Sequence, residues 1–308
     1  MRYASWSVIV DDIVFPDGRT AMGVLGGGGS YTAAGMRVWS HEVSVLGNVG
    51  ADFDPVLLGR LDLQAIDLRS THRPTPRAWQ LFEDDGQRTQ IPRIPLGDWS
   101  AQVGWPADLP ERLQALGVGA VHLLSRGDVG DPAMIARIAA SGIRVSLEPV
   151  IEDGMGAAQC ERVLAALAHV EIFSPGLGEL QVLLGAQPLR PALVALAERG
   201  PALVALRRGA AGSLVYHRES RQLLRVPAAH ASVADVTGAG NAYAGGMLVG
   251  WCMSAAPALA AACAAVSAAI AIEQVGPPAI TRELLAAAVA RRSEVLAALH
   301  ELEDGDNA

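Results

Sequence analysis

Strand and helix patterns alternate along the chain from Leu109 onward, and this alternation limits the fold more than any other feature. The apolar run AVHLLSR is followed by a helix pattern that starts after Asp131 with Pro132 in its first turn, and then by the strand pattern RVSLEPV. The same order repeats as far as PALVALRRG. Parallel strands joined by helices form a sheet that is covered on both faces, and its ligands bind beyond the carboxyl ends of the strands. The sequence therefore predicts an α/β fold.

The first third of the chain has a different pattern. It predicts a strand from Tyr3 to Val10, a helix from Ser30 to Trp39 and a second strand in HEVSVLGNVG, residues 41–50. Residues 66–94 contain short alternating or aromatic runs, which prolines and a hairpin signal at Asp84–Gly86 separate. These short runs indicate a small β unit added to the α/β core.

The domain prediction follows from these patterns. Hydrophobic residues make up 51% of the 308 residues, enough for a sizeable core. We predict one domain over residues 1–300, with a small β lid drawn from about residues 11–25 and 66–95. An acidic, frayed tail is predicted over residues 301–308.

One stretch without formal charge, Ala242–Ile272, is long enough to cross a bilayer. It consists mostly of alanine, which contributes little to transfer into lipid, and Pro257 divides it, so two buried helices are the better prediction. The N-terminal apolar run is short and leads directly into Asp11 and Asp12, which does not fit a signal peptide. We therefore expect a cytoplasmic protein without a membrane partner.

Composition excludes several classes of function. The net charge is −8 and no basic stripe is present, so no nucleic-acid partner is expected. All 24 basic residues are arginine, which excludes a Schiff-base lysine and the lysine of a P-loop. The glycine run is a poor match to the dinucleotide-binding fingerprint, so a dinucleotide oxidoreductase is not expected. The three cysteines have no spacing typical of a zinc site or a disulfide framework.

The segment DVTGAGNAYAGG, from Asp235 to Gly246, carries the sharpest chemical signal. It opens an apolar helix, so the backbone N–H groups of Gly238, Ala239 and Gly240 lie at a helix N-terminus, which favours an anion. Such a group of donors suits a transferring phosphoryl group. An ordinary glycine-rich turn with Asn241 as its cap fits the same spacing, and the spacing alone favours neither interpretation.

This segment resembles the second signature of the PfkB/ribokinase family of carbohydrate kinases. The resemblance extends over nearly the whole chain. GGGGSYTAAG (Gly26–Gly35) resembles the family's first, sugar-facing signature, and RRGAAG (Arg207–Gly212) resembles its nucleotide-binding glycine loop. TPRAWQLFEDDGQRT (Thr75–Thr89) is similar to the lid strands, and VSAAIAIEQVGPPA (Val266–Ala279) to the helix and turn that flank adenine. The resemblance implies a ribokinase-like three-layer sandwich with a mostly parallel central sheet and a small β lid.

The resemblance also implies ligands and site residues. The ligands are ATP, Mg²⁺, a monovalent cation and a small sugar or nucleoside acceptor, and a homodimer through the β lid is a further expectation. The phosphoryl-transfer positions are Gly238, Ala239, Gly240 and Asn241. The acceptor positions are Asp11, Gly26, Gly27 and Tyr31. The nucleotide positions are Arg207, Gly209, Gly212 and Ala265, and the metal positions are Glu179 and Asp235.

The chain departs from the family pattern at four positions. Asn241 replaces the aspartate that serves as general base, and an amide cannot take up that proton at neutral pH. Tyr31 replaces a sugar-binding asparagine, Gly176 replaces the asparagine of the metal motif, and Glu148 precedes Pro149 where the family usually has aspartate. The same departures resemble a fungal PfkB-like subgroup that includes the maintenance-of-killer protein, so an engineered replacement at residue 241 is the weaker explanation.

Two functions fit this sequence. The first is an ATP-dependent kinase of a sugar, a nucleoside or a similar alcohol. The second is a pseudokinase that binds a nucleotide or a metabolite, or serves as a structural module, because Asn241 and Tyr31 alter both the base and the acceptor site. From the sequence alone, Asn241→Asp would supply the missing base and would raise the turnover of a crippled kinase by about 10².

Overall fold

The computed structural model describes residues 1–84, 88–151 and 155–303. Its strands are β1 (Arg2–Trp6), β2 (Ile9–Val14), β3 (Thr20–Gly26), β4 (Val43–Gly50), β5 (Ala65–Thr71), β6 (Arg77–Phe82), β7 (Arg88–Pro92), β8 (Val118–Ser125), β9 (Arg144–Pro149), β10 (Ile172–Phe173), β11 (Leu203–Arg207), β12 (Ser213–His217), β13 (Gln222–Val226) and β14 (His300–Glu301). Its helices are α1 (Gly28–Arg37), α2 (Leu96–Val103), α3 (Leu109–Ala115), α4 (Asp131–Ala140), α5 (Ala157–Ala166), α6 (Leu177–Leu184), α7 (Leu189–Ala197), α8 (Ala239–Ser254), α9 (Pro257–Ile272) and α10 (Arg282–Ala298).

The larger sheet has ten strands in the order β14-β13-β12-β11-β10-β9-β8-β1-β4-β5. Neighbouring strands from β11 to β5 pair in parallel, whereas β12, β13 and β14 form an antiparallel edge. The strand–helix alternation after Leu109 predicted this arrangement, and the prediction is confirmed. The carboxyl ends of the parallel strands lie together along one edge of the sheet, which is where such folds place their ligands.

Helices cover both faces of the larger sheet. Buried side chains of α1, α8, α9 and α10 form one apolar cluster with the strands, and those of α3 to α7 form a second. Burying apolar surface on each face of a parallel sheet stabilises the strands and helices together. The result is the three-layer arrangement that the sequence predicts.

The smaller, four-stranded sheet is the lid, with the order β3-β2-β6-β7. It differs in two ways from the sequence prediction. The single strand expected from Tyr3 to Val10 is two strands in different sheets, because Ser7 has a positive φ of 77° and turns the chain from β1 into β2. Residues 65–71, which the prediction gave largely to the lid, form β5 and pair with β4 in the larger sheet.

Two of the predicted segments, the hairpin signal and the C-terminal tail, lie partly outside the described residues. The hairpin signal at Asp84–Gly86 falls between β6 and β7, whose antiparallel pairing brings Phe82 opposite Arg88, but residues 85–87 are not described. The predicted tail begins inside a strand, since Glu301 pairs with Leu224 and Leu302 is buried. Residues 304–308 of that tail are not described.

The uncharged stretch Ala242–Ile272 forms parts of two buried helices, α8 and α9, as predicted. A methyl group on Gly250 would lie only 2.8 Å from the Cα atom of Ala260, so small residues are needed where these helices cross. In the described part of the chain no single helix is long and apolar enough to cross a membrane, although the bent pair α6 and α7, with 72° between its helices, meets that test by length and composition.

Candidate functional site

Two cavities meet at the N-terminus of α8. We call the first the polar cavity. It has a volume of about 260 Å³, lies between the lid and the carboxyl ends of β1, β8 and β9, and is lined by polar side chains that include Asp11, Tyr31, Gln80, Glu148 and Asn241. This is the edge of the sheet at which parallel α/β folds bind ligands.

The second, which we call the apolar cavity, has a volume of about 550 Å³ and lies between α8, α9 and the turn that joins β11 to β12. Alanine and glycine dominate its lining, which includes Gly209, Gly212, Ala239, Gly240 and Ala265. Such a smooth apolar wall suits a flat aromatic group. Arg207 lies at the end of this cavity that faces the polar cavity, and Glu179 lines both cavities.

The N-terminus of α8 is open toward these cavities. Gly238 is its N-cap, with a φ of 76°, and no side chain caps the helix there. A methyl group on Gly238 would overlap the ring of Tyr31, and one on Gly240 would overlap the guanidinium of Arg207. The two glycines therefore allow Tyr31 and Arg207 to pack directly against the first turn of the helix, while its N–H groups and dipole still favour an anion.

Asp11 lies in lid strand β2 and is almost fully buried, with 1% of its surface exposed. Its Oδ1 accepts a hydrogen bond of 2.7 Å from Gln80 Nε2, and a methyl group on Gly26 would overlap its carboxylate. Burial raises the pKa of Asp11 to about 6, against the smaller opposing effect of the Gln80 hydrogen bond. Asp11 is thus a carboxylate held in the polar cavity at a cost in stability, which is typical of a ligand-binding group.

An Asp11→Asn variant is expected to be more stable than the native protein near neutral pH. Because burial raises the pKa of Asp11 from its ordinary value of 3.8 to about 6, the native protein gains stability as the pH falls from about 6 to about 4 and loses it as the pH rises. At about pH 7.5 the variant should gain about 2–3 kcal/mol, and the gain should disappear near pH 4. Thermal melting across this range measures it, and a difference that does not depend on pH would contradict the prediction.

Tyr31 fills the floor of the polar cavity beside Asp11. Its ring is buried, and its hydroxyl oxygen is buried without a hydrogen-bond partner. Burial raises the pKa of Tyr31, so the hydroxyl keeps its proton. A buried hydroxyl without a hydrogen-bond partner in a cavity wall lowers the stability of the protein unless a ligand group forms a hydrogen bond with it.

Four charged and polar groups form a connected network between the two cavities. Glu148, at the end of β9, accepts a hydrogen bond of 2.6 Å from Asn241 Nδ2 through Oε1 and one of 3.2 Å from Arg207 Nη1 through Oε2. Arg207 Nη2 donates to Glu179 Oε2 at 3.0 Å. Burial alone would raise the pKa of Glu148, but the charge of Arg207 and the polar groups around the carboxylate outweigh it and lower the pKa. Glu148 is therefore an anion at neutral pH.

The predicted metal positions do not form a protein-only metal site. Glu179 accepts a hydrogen bond of 2.5 Å from the backbone N–H of Gly176 and pairs with Arg207, while Asp235 lines neither cavity within the described residues. The described residues contain no group of three or more His, Cys, Asp or Glu side chains that could hold a metal ion. One carboxylate still fits Mg²⁺, which kinases bind through one or two carboxylates, substrate phosphates and water.

The structure brings together most of the residues that the sequence singled out. Asp11, Gly27, Tyr31, Glu179, Gly238 and Asn241 line the polar cavity. Ala239, Gly240, Arg207, Gly209, Gly212 and Ala265 line the apolar cavity. Gly26 lines neither cavity within the described residues, but it supports Asp11 through the close approach described above.

Sequence reasoning missed several residues of the site. Gln80 and Arg88 line the polar cavity from lid strands β6 and β7. His122, to which the sequence assigned no role, is fully buried with Nε2 3.5 Å from Glu148 Oε2. Glu148 was noticed only as a departure from the family. Its position at the end of a buried strand, before Pro149, was the signal that could have placed it in the site.

Comparison with known proteins agrees with this architecture. A sequence model of pfkB family carbohydrate kinases matches residues 18–282. A cytidine kinase of Thermococcus kodakarensis is 24% identical over 248 residues, which cover 79% of this chain and 86% of that protein. An uncharacterized protein of Schizosaccharomyces pombe is 26% identical over 317 aligned positions, which cover 89% of this chain and 84% of that protein.

A solved structure agrees in fold over nearly the whole chain. A protein of Escherichia coli assigned as a ribokinase II, in complex with ATP and Mg²⁺, superposes with a TM-score of 0.75 and 18% identity. The match covers 94% of this chain and 99% of that one. At this identity the likeness is one of fold.

Proposed function

Because the chain belongs to the pfkB family of carbohydrate kinases, we propose that it transfers the γ-phosphoryl group of ATP to a hydroxyl group of a sugar or nucleoside. One observation carries this proposal. The first turn of α8 separates the two cavities, with Gly238 and Asn241 lining the polar cavity and Ala239 and Gly240 lining the apolar cavity. A helix N-terminus placed between an acceptor and a nucleotide stabilises the phosphoryl group during its transfer.

The residues of each cavity have distinct roles in this proposal. The apolar cavity holds the adenosine part of ATP against the small side chains of α9, including Ala265, with the glycine turn at Gly209 and Gly212 beside it. In the polar cavity, Asp11 accepts hydrogen bonds from acceptor hydroxyl groups, and Tyr31 offers its unpartnered hydroxyl. The lid covers the acceptor and excludes water.

The metal positions enter the proposal with smaller roles. When bound, Mg²⁺ neutralises charge on the phosphates, and Glu179 is the carboxylate that would hold it, directly or through water. Asp235 Oδ2 and Thr237 Oγ1 are buried without hydrogen-bond partners, which supports a monovalent cation beside the turn that precedes α8. Membership of the fungal maintenance-of-killer-like subgroup, a cytoplasmic location and a homodimer through the lid remain predictions from the sequence.

The native protein is expected to melt at a higher temperature in millimolar ATP or ADP with Mg²⁺. A ligand at 100 times its Kd stabilises the folded state by about 2.7 kcal/mol, which thermal melting detects easily. An Ala265→Leu variant should lose most of this response, because its larger side chain occupies the apolar cavity. Ala286→Leu, on the exposed face of α10, is the matched control and should respond like the native protein. No response of the native protein would contradict nucleotide binding.

Turnover is tested separately from binding. The native protein, MgATP and single acceptors such as ribose, cytidine and adenosine are incubated together, and acceptor-dependent formation of ADP is measured. The pseudokinase alternative, which Asn241 favours because an amide cannot accept the acceptor proton, predicts nucleotide binding with no acceptor-dependent turnover. The kinase predicts ADP formation with at least one class of acceptor.

A further inference from the structure

We propose that Glu148 is the general base of this kinase and that Asn241 is the residue that positions it. The inference rests on the proposed kinase function. It answers the question that Asn241 raises, namely which group takes up the proton of the acceptor hydroxyl when the helix residue cannot.

Geometry places Glu148 at the required position. Its carboxylate lines the polar cavity together with Asp11 and Gly238, and Oε1 lies 2.6 Å from Asn241 Nδ2. The carboxylate oxygen is therefore within one hydrogen-bond length of the side-chain position where this family otherwise carries its base. Residues 148 and 241 are far apart in sequence, and only the alignment of β9 with the first turn of α8 brings them together.

The surroundings of Glu148 keep it ionised and fix its orientation. Arg207 donates to Oε2, Asn241 donates to Oε1, and His122 Nε2 lies 3.5 Å from Oε2. Each carboxylate oxygen has two acceptor positions, so Oε1 can accept the acceptor hydroxyl while it keeps the Asn241 hydrogen bond. A carboxylate held in this way is preorganised to accept a proton in one direction.

The departures from the family pattern at residues 148 and 241 explain each other. An aspartate at residue 241 would place a second carboxylate against Glu148 Oε1, and two carboxylates in contact cannot both be ionised at neutral pH. The amide of Asn241 instead donates a hydrogen to the anion. Asn241 therefore suits Glu148, and the base has moved from the helix to the end of the neighbouring strand.

The acceptor O–H bond breaks and its proton passes to Glu148 Oε1, while the acceptor oxygen forms a bond to the γ-phosphorus. The bond between the γ-phosphorus and the β,γ-bridging oxygen breaks, and ADP leaves with that electron pair. Glu148 then releases the proton to water. Because phosphoryl transfer has a loose transition state, a carboxylate of low basicity is sufficient for a late proton transfer.

The test is Glu148→Gln in the full chain, assayed with MgATP and the acceptor that supports turnover of the native protein. The variant is expected to lose about 10²–10⁴ in kcat, while the Kd for ATP and the KM for the acceptor change little. The matched control is Glu171→Gln, which removes a carboxylate just before β10, at the opposite end of the strands, and should leave kcat within a few-fold of native. The reversed pair, Glu148→Gln with Asn241→Asp, should recover much of the lost kcat, which a merely structural role of Asn241 does not predict.

The results of these assays distinguish a wrong assignment of the general base from a wrong proposed function. A native protein that turns over and a Glu148→Gln variant within tenfold of its kcat would overturn the assignment of Glu148 and leave the kinase intact. A native protein that binds ATP but phosphorylates no acceptor would overturn both. If the Glu148→Gln variant does not fold, Glu148→Asp is the alternative. It keeps the negative charge beside Arg207, but its side chain is shorter by one methylene group, which moves the carboxylate away from the acceptor hydroxyl. Its expected loss is about 10² in kcat, and full activity would overturn the assignment.

Discussion

An Arg207→Met variant is expected to unfold about 3–5 kcal/mol more easily than the native protein, because the change removes one partner of a buried ion-pair network. The Arg207 side chain is only 15% exposed and pairs with both Glu148 and Glu179. Methionine fills much of the same volume, so the main loss is electrostatic: two carboxylates stay in a poorly hydrated site without a cation. For a chain of 308 residues the melting temperature should fall by roughly 5–8 °C.

The pH dependence of this loss distinguishes charge from packing. Without Arg207, the pKa of Glu148 should rise above that of the unfolded chain, and the pKa of Glu179, which burial already raises, should rise further. A group whose pKa is raised on folding stabilises the folded state only at low pH. The difference in melting temperature between the variant and the native protein should therefore shrink as the pH falls from about 7.5 to about 5. Arg208→Met, which removes the same charge from the partly exposed neighbouring residue, is the control. An equal deficit at both pH values would contradict the electrostatic explanation.

An Asn241→Asp variant is expected to lose acceptor-dependent turnover, on the order of 10² near neutral pH. From the sequence alone, this change would supply a missing base and raise turnover. The structure reverses the expectation, because the new carboxylate would lie against Glu148 Oε1, where the amide now donates its hydrogen bond at 2.6 Å. The two carboxylates would share one proton, which sits on the face of Glu148 that the acceptor hydroxyl needs.

The pH profile checks this interpretation. Turnover by Asn241→Asp should recover as the pH rises and the shared proton is lost, while the native profile stays flat over the same range because Arg207 keeps Glu148 ionised. The measurement is kcat for ADP formation from about pH 6 to about pH 9. An increase in neutral-pH turnover over the native protein would mean that Asn241 is a damaged base and that Glu148 has no part in proton transfer.

The sequence by itself determined the kind of fold and the edge of the sheet at which the candidate site lies. Alternation of strand and helix patterns requires parallel pairing, and parallel pairing collects the strand ends at one edge. The glycines of DVTGAGNAYAGG and RRGAAG indicated local turns, and in the structure Gly238 and Gly212 both have a positive φ at such turns. Local patterns of this kind depend on near neighbours in the chain, which is why sequence reasoning reaches them.

Only the tertiary structure decided how the charges are paired. Glu148, Asn241 and Arg207 come from β9, α8 and β11, and no spacing in the sequence indicates that they touch. From the sequence, Asn241 is interpreted as a lost general base and Glu148 as an unrelated departure, because each residue is compared separately with the corresponding family position. A hydrogen bond between residues so far apart depends on the register of two elements packed in different layers. The chemistry of this site is therefore set by packing, and the motif alone could not reveal which carboxylate faces the acceptor.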